Sequence, residues 1–477
     1  MNKLTLSAEQ LAAATTKSTR AMVIAGAGSG KTATIIGRYR YLIEQCSVLP
    51  DEVVIVTFTV KAAAELKARI TKAGLPEPEY VGTIHGWCVR YLPEGYAVAP
   101  EKVAKMAQEW ACEMIPGEAF PDPIEIGAMD IESKSRVYKT YTAYLLRNGM
   151  YDFDMLLKLA ASHLQVRQVD QHLIVDEYQD TGPVERLIYA GFSQSQFIVG
   201  DPRQSLYGFR GAAEWDVLQM KAEGWAPYVL SMTYRCKSEI ARRVNRIEFP
   251  GDLDRFLFSG GLVASSPGGT VTEGGGVVKW ISDNMLLDAT ILCRSNREVQ
   301  ELEKVLEEAA LPVIKVVAPS EALEEYTDWL AVKLSPDNDA IVEAFLRRWA
   351  PASHEAAVSE AHKRMVGVAA VASIEPKETW TWDQAIVDMI KLYPDDLERL
   401  AALYHLRYTI GDGPGFRVMT VHQAKGLEWK NVCVVIPKWL KDDLDSRRIL
   451  YVAMTRASER LHLATSHLKV VPAWLKA

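Results

Sequence analysis

Short, wholly apolar runs that stop at a glycine or an acidic residue punctuate the chain. Ala21-Met22-Val23-Ile24-Ala25 ends at Gly26-Ala27-Gly28-Ser29-Gly30-Lys31-Thr32, and beyond it Ile35, Ile36, Tyr39, Leu42 and Ile43 recur at helical spacing. This predicts a strand, a glycine loop and a helix. Val53-Val54-Ile55-Val56 repeats the pattern, followed by Thr57-Phe58-Thr59 and an alanine-rich helix over about 61–70. Leu173-Ile174-Val175 and Phe197-Ile198-Val199 are two more such runs. Strands without polar alternation are covered on both faces, which predicts an α/β fold with a parallel sheet.

A second set follows. Thr290-Ile291-Leu292 precedes Cys293-Arg294-Ser295-Asn296 and a helix through about 308; Val313 to Val317 and Val432 to Ile436 complete it as a second α/β unit. The glycine- and serine-rich stretch Ser259 to Gly276 is expected to be a surface loop of that unit. Stretches 93–150 and 318–410 lack such strands and are rich in Ala, Glu, Leu and Trp, which predicts mostly helical insertions.

Composition bounds this picture without changing it. The 477 residues allow about three domains at ~150 residues each, and a chain 48% hydrophobic and 24% charged is an ordinary globular protein. No run approaches the ~18 apolar residues of a membrane span, and the N-terminus shows no basic and apolar leader, so a cytoplasmic location without membrane contact is expected. The six cysteines are scattered with no CxxC pair, which speaks against a zinc site and predicts buried thiols. The net charge of -7 does not advertise a nucleic-acid partner, although a local basic groove is invisible in that sum.

The chemistry concentrates at strand ends. Ala25 to Thr32 follows the phosphate loop G-x-x-x-x-G-K-[ST] with Ala25 at the first glycine position. In such a loop backbone amides surround phosphate, Lys31 reaches the outer phosphates and Thr32 can hold Mg²⁺. Leu173-Ile174-Val175 delivers Asp176 and Glu177 together: one carboxylate for the magnesium shell, one to orient and deprotonate water. The pair predicts Mg·ATP hydrolysis. Ser7-Ala8-Glu9-Gln10 fits a helix capping box as well as it fits a ligand contact by Gln10, and spacing leaves both open.

With these residues in view, the chain resembles the UvrD/Rep-like group of superfamily 1 DNA helicases. In order along the chain, Gln10 is similar to the Q motif, Ala25 to Thr32 to motif I, and Thr57-Phe58-Thr59 with Lys61-Ala62-Ala63 to motif Ia. Thr83-Ile84-His85-Gly86 follows as the next DNA-side motif. Asp176 to Asp180 resembles motif II, Gly200 to Ala212 motif III, and Thr233-Tyr234-Arg235 motif IV. Cys293 to Asn296 resembles motif IVa, Val418 to Trp429 motif V, and Leu450 to Ala457 motif VI.

The resemblance implies two RecA-like parallel-sheet domains: 1A over 1–92 and 151–225, and 2A over 226–317 and 411–477. Helical insertion 1B would occupy 93–150 and 2B 318–410. It implies Gln10 on adenine, Gly26, Ala27, Gly28, Ser29 and Gly30 around the phosphates, and Gly426 and Glu428 on phosphate and ribose. Arg235 and Arg456 would be arginine fingers and Gln204 a γ-phosphate sensor facing the DNA. Phe58, Tyr207 and Phe209, which by residue type fit a core equally well, would stack on unpaired bases, a sequence-tolerant contact. Lys61, His85, Arg210, Thr420 and His422 would touch phosphate or sugar, a structural role for His422 staying open. The implied activity is ATP-dependent 3′ to 5′ translocation and unwinding by a monomer, with single-stranded DNA and single-strand/duplex junctions as partners.

The sequence departs from the pattern at Val60, where Asn is common, at Gly208 within motif III, at Gln423, where Ser is common, and at Ala33 after the phosphate loop. Both insertions are short for the family, so a compact motor is expected. A rival expectation is an ATP-gated clamp on nucleic acid that does no unwinding.

Overall fold

The computed structural model describes residues 5–206, 208, 212, 215–247, 249, 261–315, 415–436 and 440–465. Insertion 318–410, the expected base contacts Tyr207 and Phe209 and the expected phosphate or sugar contact Arg210 lie outside these residues.

Eight strands come from the first half of the chain: β1 (Arg20–Ala25), β2 (Val53–Thr57), β3 (Tyr80–Thr83), β4 (Ala97–Val98), β5 (Met150–Tyr151), β6 (His172–Val175), β7 (Ser195–Gly200) and β8 (Ala226–Leu230). Six of them form a parallel sheet in the order β3-β2-β6-β7-β1-β8. β1, β2 and β7 are buried along nearly their whole length, as their unbroken apolar runs require. Helix α1 (Ala8–Ala14) leads into β1, α2 (Lys31–Gln45) follows it, and α3 (Val60–Lys72) follows β2 with Thr59 accepting from the Ala62 amide as its N-cap. The short α4 (Ile84–Cys88) starts where β3 ends.

Between β4 and β5 the chain makes α5 (Glu101–Met114), α6 (Pro123–Ile126), α7 (Ile131–Lys134) and α8 (Arg136–Arg147). Val137, Tyr138, Tyr141 and Leu145 of α8 pack with Ala107 and Ala111 of α5 into a separate small core. The parallel pair β4–β5 closes this helical insertion at its base, and α9 (Phe153–Val166) and α10 (Pro183–Ala190) return the chain to the first sheet.

Among the described residues the other strands are β9 (Met232–Thr233), β10 (Val263–Ala264), β11 (Thr270–Glu273), β12 (Ala289–Cys293), β13 (Val313–Lys315), β14 (Phe416–Thr420), β15 (Trp429–Val435) and β16 (Ala457–Ala464). They give a second parallel six-stranded sheet, β11-β16-β15-β12-β14-β13, and a small β9–β10 pair. Mixed α/β architecture with two large parallel sheets is the RecA-like fold class expected from the sequence.

Three expectations need correction. Ser259 to Gly276 is not simply a loop, because β10 and β11 lie within it and β11 pairs with β16 at the sheet edge. β8 extends the first sheet beyond residue 225, pairing with β1. Cys46 is exposed and Cys112 only partly covered, whereas Cys88, Cys236, Cys293 and Cys433 are buried thiols.

Candidate nucleotide and nucleic-acid site

Parallel sheets collect ligands at the carboxyl ends of their strands, and the predicted site residues gather there. Ala25 closes β1, fully buried, and the loop to Gly30 opens α2. Gly30 caps α2 in the left-handed region with no side chain on the first-turn amides, which leaves them to an anion. Gly28 has φ +71°, and a Cβ there would stand 2.5 Å from the Arg235 Cβ, so only glycine fits. Within the loop Ser29 is 1% exposed and its hydroxyl has no hydrogen-bond partner, as a group built to meet a phosphate would be.

Of the two readings that spacing left open for Gln10, the structure shows the capping box. Gln10 completes it with Ser7, and its amide donates to the Ser29 carbonyl at 2.9 Å, so α1 braces the phosphate loop from beneath.

At the end of β6 the Lys31 ammonium bonds the Glu177 carboxylate at 2.9 Å. Burial opposes the lysine charge, but the carboxylates of Glu177, Asp176 and Asp201 outweigh it and hold the pKa above the usual value. Burial and the neighbouring Glu177 drive Asp176 upward, while Lys31, Lys425 and the Gln179 amide overcome burial at Glu177 and drive it downward. Glu177 sits at φ +53°, a conformation unfavourable for a residue with a Cβ and one that functional carboxylates retain. Thr32 and Asp176 are the groups that would hold Mg²⁺. Their fit is one of charge, since a divalent cation would relieve two adjacent, partly buried carboxylates.

Residues of the second sheet reach into this site. Arg456, 1% exposed, donates to the Gln204 side-chain carbonyl at 3.2 Å and to the Val452 and Leu427 carbonyls. Arg235 is salt-bridged to Glu428, the expected ribose contact, and donates to the Thr455 carbonyl. Gly426, two residues before Glu428, turns at φ +83°. Five further residues complete the site and were not singled out from the sequence. The Tyr451 hydroxyl accepts from the Ala27 amide at 3.3 Å and donates to Asp201 at 3.0 Å, and Asp201 also accepts from the Gln204 amide at 2.8 Å. Lys425 bonds Asp180 at 2.5 Å and the Gln204 carbonyl at 2.9 Å. Gln179 joins Glu177, Asp180 and the Asp201 amide. All of them stand inside or beside the motif segments, which was the available signal.

On the neighbouring strand ends, Phe58 is 39% exposed, Lys61 is exposed in the first turn of α3, and His85 lies edge-on to Phe153 at 5.0 Å. Burial lowers His85 to about 4, so the ring is neutral near pH 7. Phe58, His85, Ile126, Asp154, Asp180 and Glu185 line a cavity of about 180 Å³ between the strand ends and the helical insertion. Across from this, Thr420 ends β14 with its hydroxyl donating to Gln423, and the His422 carbonyl accepts from the Lys425 amide.

Among the described residues, no helix is long and apolar enough to cross a membrane. The UvrD/REP helicase N-terminal domain matches residues 6–115 and 98–223, and the UvrD-like helicase C-terminal domain matches residues 415–464. The chain is 28% identical over 288 residues to the ATP-dependent DNA helicase PcrA of Staphylococcus epidermidis, covering 51% of this chain and 40% of that protein. It is 27% identical over 350 residues to the ATP-dependent DNA helicase Rep of Buchnera aphidicola, covering 61% and 54%. It is 29% identical over 355 residues to DNA helicase II of Escherichia coli, covering 61% and 48%. The matched part thus amounts to about half the length of these relatives. With the phosphate loop, the paired carboxylates and both arginines converging as the motif order requires, the chain belongs to the UvrD/Rep-like helicase family.

Proposed function

We propose that the chain is an ATP-dependent DNA helicase and single-strand translocase that moves 3′ to 5′, in a setting of DNA repair, replication or recombination. The observation that carries the reading is one hydrogen-bonded path, Ala27–Tyr451–Asp201–Gln204–Arg456, which runs from the phosphate loop into the second sheet. A nucleotide bound at the loop therefore acts on both sheets at once.

In this mechanism Lys31 leaves Glu177 for the outer phosphates of ATP, and Glu177 is freed to orient and deprotonate the attacking water. Thr32 and Asp176 would hold Mg²⁺, which would supply neutralising charge to the phosphate oxygens. Arg235 and Arg456 offer planar forks of donors to the charge that develops on the transferring phosphoryl group. Gln204 and Lys425 shift with Arg456, and through Asp180 the shift reaches the strand ends that carry Phe58 and His85. Phe58, with Tyr207 and Phe209, stacks on unpaired bases; Lys61, Arg210, Thr420 and His422 hold the backbone. Each closure moves one strand, and the motor works as a monomer at single-strand/duplex junctions in the cytoplasm.

Steady-state ATP hydrolysis with and without a mixed-sequence single-stranded oligonucleotide tests this, with Lys31→Ala as the blank. Stimulation abolished in the variant is expected, together with displacement of a fluorescent strand from a 3′-tailed duplex. A rate indifferent to DNA would leave only an ATPase, and displacement confined to 5′-tailed duplexes would reverse the polarity. Stimulated hydrolysis without any displacement would favour the ATP-gated clamp.

A further inference from the structure

Ser231 is the residue at which the chain leaves the first sheet. β8 ends at Leu230, still in register with Ala25 of β1, and β9 begins at Met232 and pairs with β10. β10 lies with the second unit, since its Ala264 packs against the core that includes Val434 of β15 and Leu461 of β16. The Ser231 carbonyl accepts from the Val263 amide of β10 at 3.0 Å. Its amide and its hydroxyl both donate to the Glu9 carboxylate, at 3.0 and 2.7 Å, one to each oxygen. The crossing is thus held from both sides at a single residue.

Glu9 belongs to α1, and other contacts fix α1 to the first sheet and to the phosphate loop. Gln10 donates to the Ser29 carbonyl, Tyr228 of β8 donates to the Thr16 hydroxyl at 2.7 Å, and Arg38 of α2 donates to the Thr16 carbonyl at 2.6 Å. The start of α1 needs nothing from Glu9, because Ser7 and Gln10 complete the capping box without it. Glu9 is also exposed, so its bonds to Ser231 add little to stability. What they fix is a position. Arg235 stands four residues beyond Ser231, and Tyr234 just before it donates to the Gly28 carbonyl of the loop.

We infer that Glu9 is a positioning residue for the arginine finger: by holding Ser231 against α1 it anchors the pivot from which the Arg235 segment swings toward the nucleotide. The inference rests on the reading of Arg235 as a donor to the transferring phosphoryl group. Closure of two units about a hinge concentrates the backbone rotation in a few residues, and the swing returns to one place only if one end of the hinge is anchored. Two bonds to the Ser231 amide and hydroxyl keep the crossing from turning at its first-sheet end. Rotation is left to Met232 and the residues beyond it. Glu9 acts through Arg235, so its loss is felt in turnover rather than in ATP binding.

Steady-state ATP hydrolysis across an ATP titration tests this in the wild type, Glu9→Ala, Glu9→Gln, Arg235→Lys and the double variant Glu9→Ala with Arg235→Lys, the slow variants being followed as single turnovers at excess enzyme. Glu9→Ala is expected to lower kcat about tenfold, as a finger displaced by a fraction of an ångström would, and to leave the KM for ATP within about twofold. Glu9→Gln, which removes the charge but keeps a carbonyl for the Ser231 amide and an amide for its hydroxyl, restores most of the rate. In the Arg235→Lys background Glu9→Ala costs less than about twofold more, because the group it positions is already lost. If Glu9→Ala does not fold, Ser231→Ala removes one of the two bonds, keeps the Glu9 charge and lowers kcat severalfold in the same direction. An unchanged kcat in Glu9→Ala would overturn the proposal, as would a full tenfold loss added to that of Arg235→Lys, or a Glu9→Gln as slow as Glu9→Ala, which would assign the effect to charge at the start of α1. Wild-type turnover by Arg235→Lys would instead remove the finger reading itself, and the positioning role with it.

Discussion

The Arg456 guanidinium, immediately before β16, meets the Gln204 side chain across 3.2 Å, and the arginine is 1% exposed. Burial, with Arg235 close by, lowers its pKa to about 9. A covered cation of this kind waits for an anion. Replacing it tests the finger directly. Arg456→Lys loses the planar fork and leaves the Gln204 and Leu427 carbonyls short of a donor. The turnover number is expected to fall by at least about 100-fold, within the range for removing an arginine finger. Steady-state ATP hydrolysis at saturating DNA measures it, and a loss of only a few-fold would contradict the role.

Gln204 is expected to divide basal from stimulated hydrolysis. Its amide donates to Asp201, its side-chain carbonyl accepts from Arg456 and its backbone carbonyl accepts from Lys425. Gln204→Ala keeps the third of these contacts and removes the first two. Basal hydrolysis should persist within about tenfold while most stimulation by DNA disappears, the loss of two buried hydrogen bonds at ~1 kcal/mol each. Rates measured across a DNA titration decide the matter; an unchanged ratio of stimulated to basal rate would remove Gln204 from the coupling path.

Tyr451 is, with Asp201, one of the two residues of this path that the sequence pattern left unnamed. It is fully buried, its ring is edge-on to Phe249 at 5.7 Å, and its hydroxyl joins the Ala27 amide to Asp201. Tyr451→Phe keeps the packing and removes the bridge. A stability loss of about 1–2 kcal/mol and a severalfold rise in the KM for ATP are expected, because the loop amide and Asp201 each lose a partner. Thermal melts and ATP titrations test this; a higher KM with an unchanged melting point would place the bridge in the bound state alone.

The elements legible in the sequence are those whose physics is local. β1, β2, β6 and β7 are central strands covered on both faces, and so they appear as unbroken apolar runs. Strands at or near an edge carry a weaker signal. β8 reads Ala226-Pro227-Tyr228-Val229-Leu230 and is only half covered; its proline is tolerable because it lies at the edge. β11, Thr270 to Glu273, alternates among glycines, and β16 opens with Ser458-Glu459-Arg460 before its apolar half. The phosphate loop and the paired carboxylates were legible for the same local reason. Asp180 with Lys425, and Asp201 with Tyr451, are joined over about 250 positions of sequence, and no spacing rule reaches that far. Motif order located their segments, and the fold alone shows which atoms meet.

Gly28 carries a geometric constraint that a small substitution exposes. At φ +71° an alanine is strained by backbone alone, and its Cβ would stand 2.5 Å from the Arg235 Cβ and 2.9 Å from the Thr233 hydroxyl. The Gly28 carbonyl also accepts from the Tyr234 amide at 2.9 Å, so the clash cannot be relieved without breaking the contact between the loop and the segment carrying Arg235. Gly28→Ala is expected to destabilise by about 2 kcal/mol and to abolish measurable hydrolysis. Wild-type melting together with near-normal turnover would show that Arg235 is not held against the loop during catalysis.

His85 and Glu185, both lining the cavity beside Phe58, make stability depend on pH in opposite senses. Burial lowers His85 to about 4, so its contribution is complete above the ordinary value of 6.5 and is lost as pH falls toward 4. Burial raises Glu185 to about 7, helped by Asp180 and Asp154 and restrained by the Gly182 amide and Arg186. Its contribution is complete below the ordinary value of 4.5 and is lost as pH rises through about 7. Between 4.5 and 6.5 the two trends oppose each other. Above 6.5 His85 no longer titrates, and Glu185 contributes about 1 kcal/mol by pH 8 to a downward slope shared with Asp154, Asp180 and Asp176, whose carboxyls burial also raises. Glu185→Gln keeps an acceptor for the Gly182 amide, removes its own titration and should lessen that slope by its share. Melting curves of both proteins at pH 6.5 and 8 measure the difference, and parallel shifts would mean that Glu185 is already ionised in the folded cavity at pH 6.5.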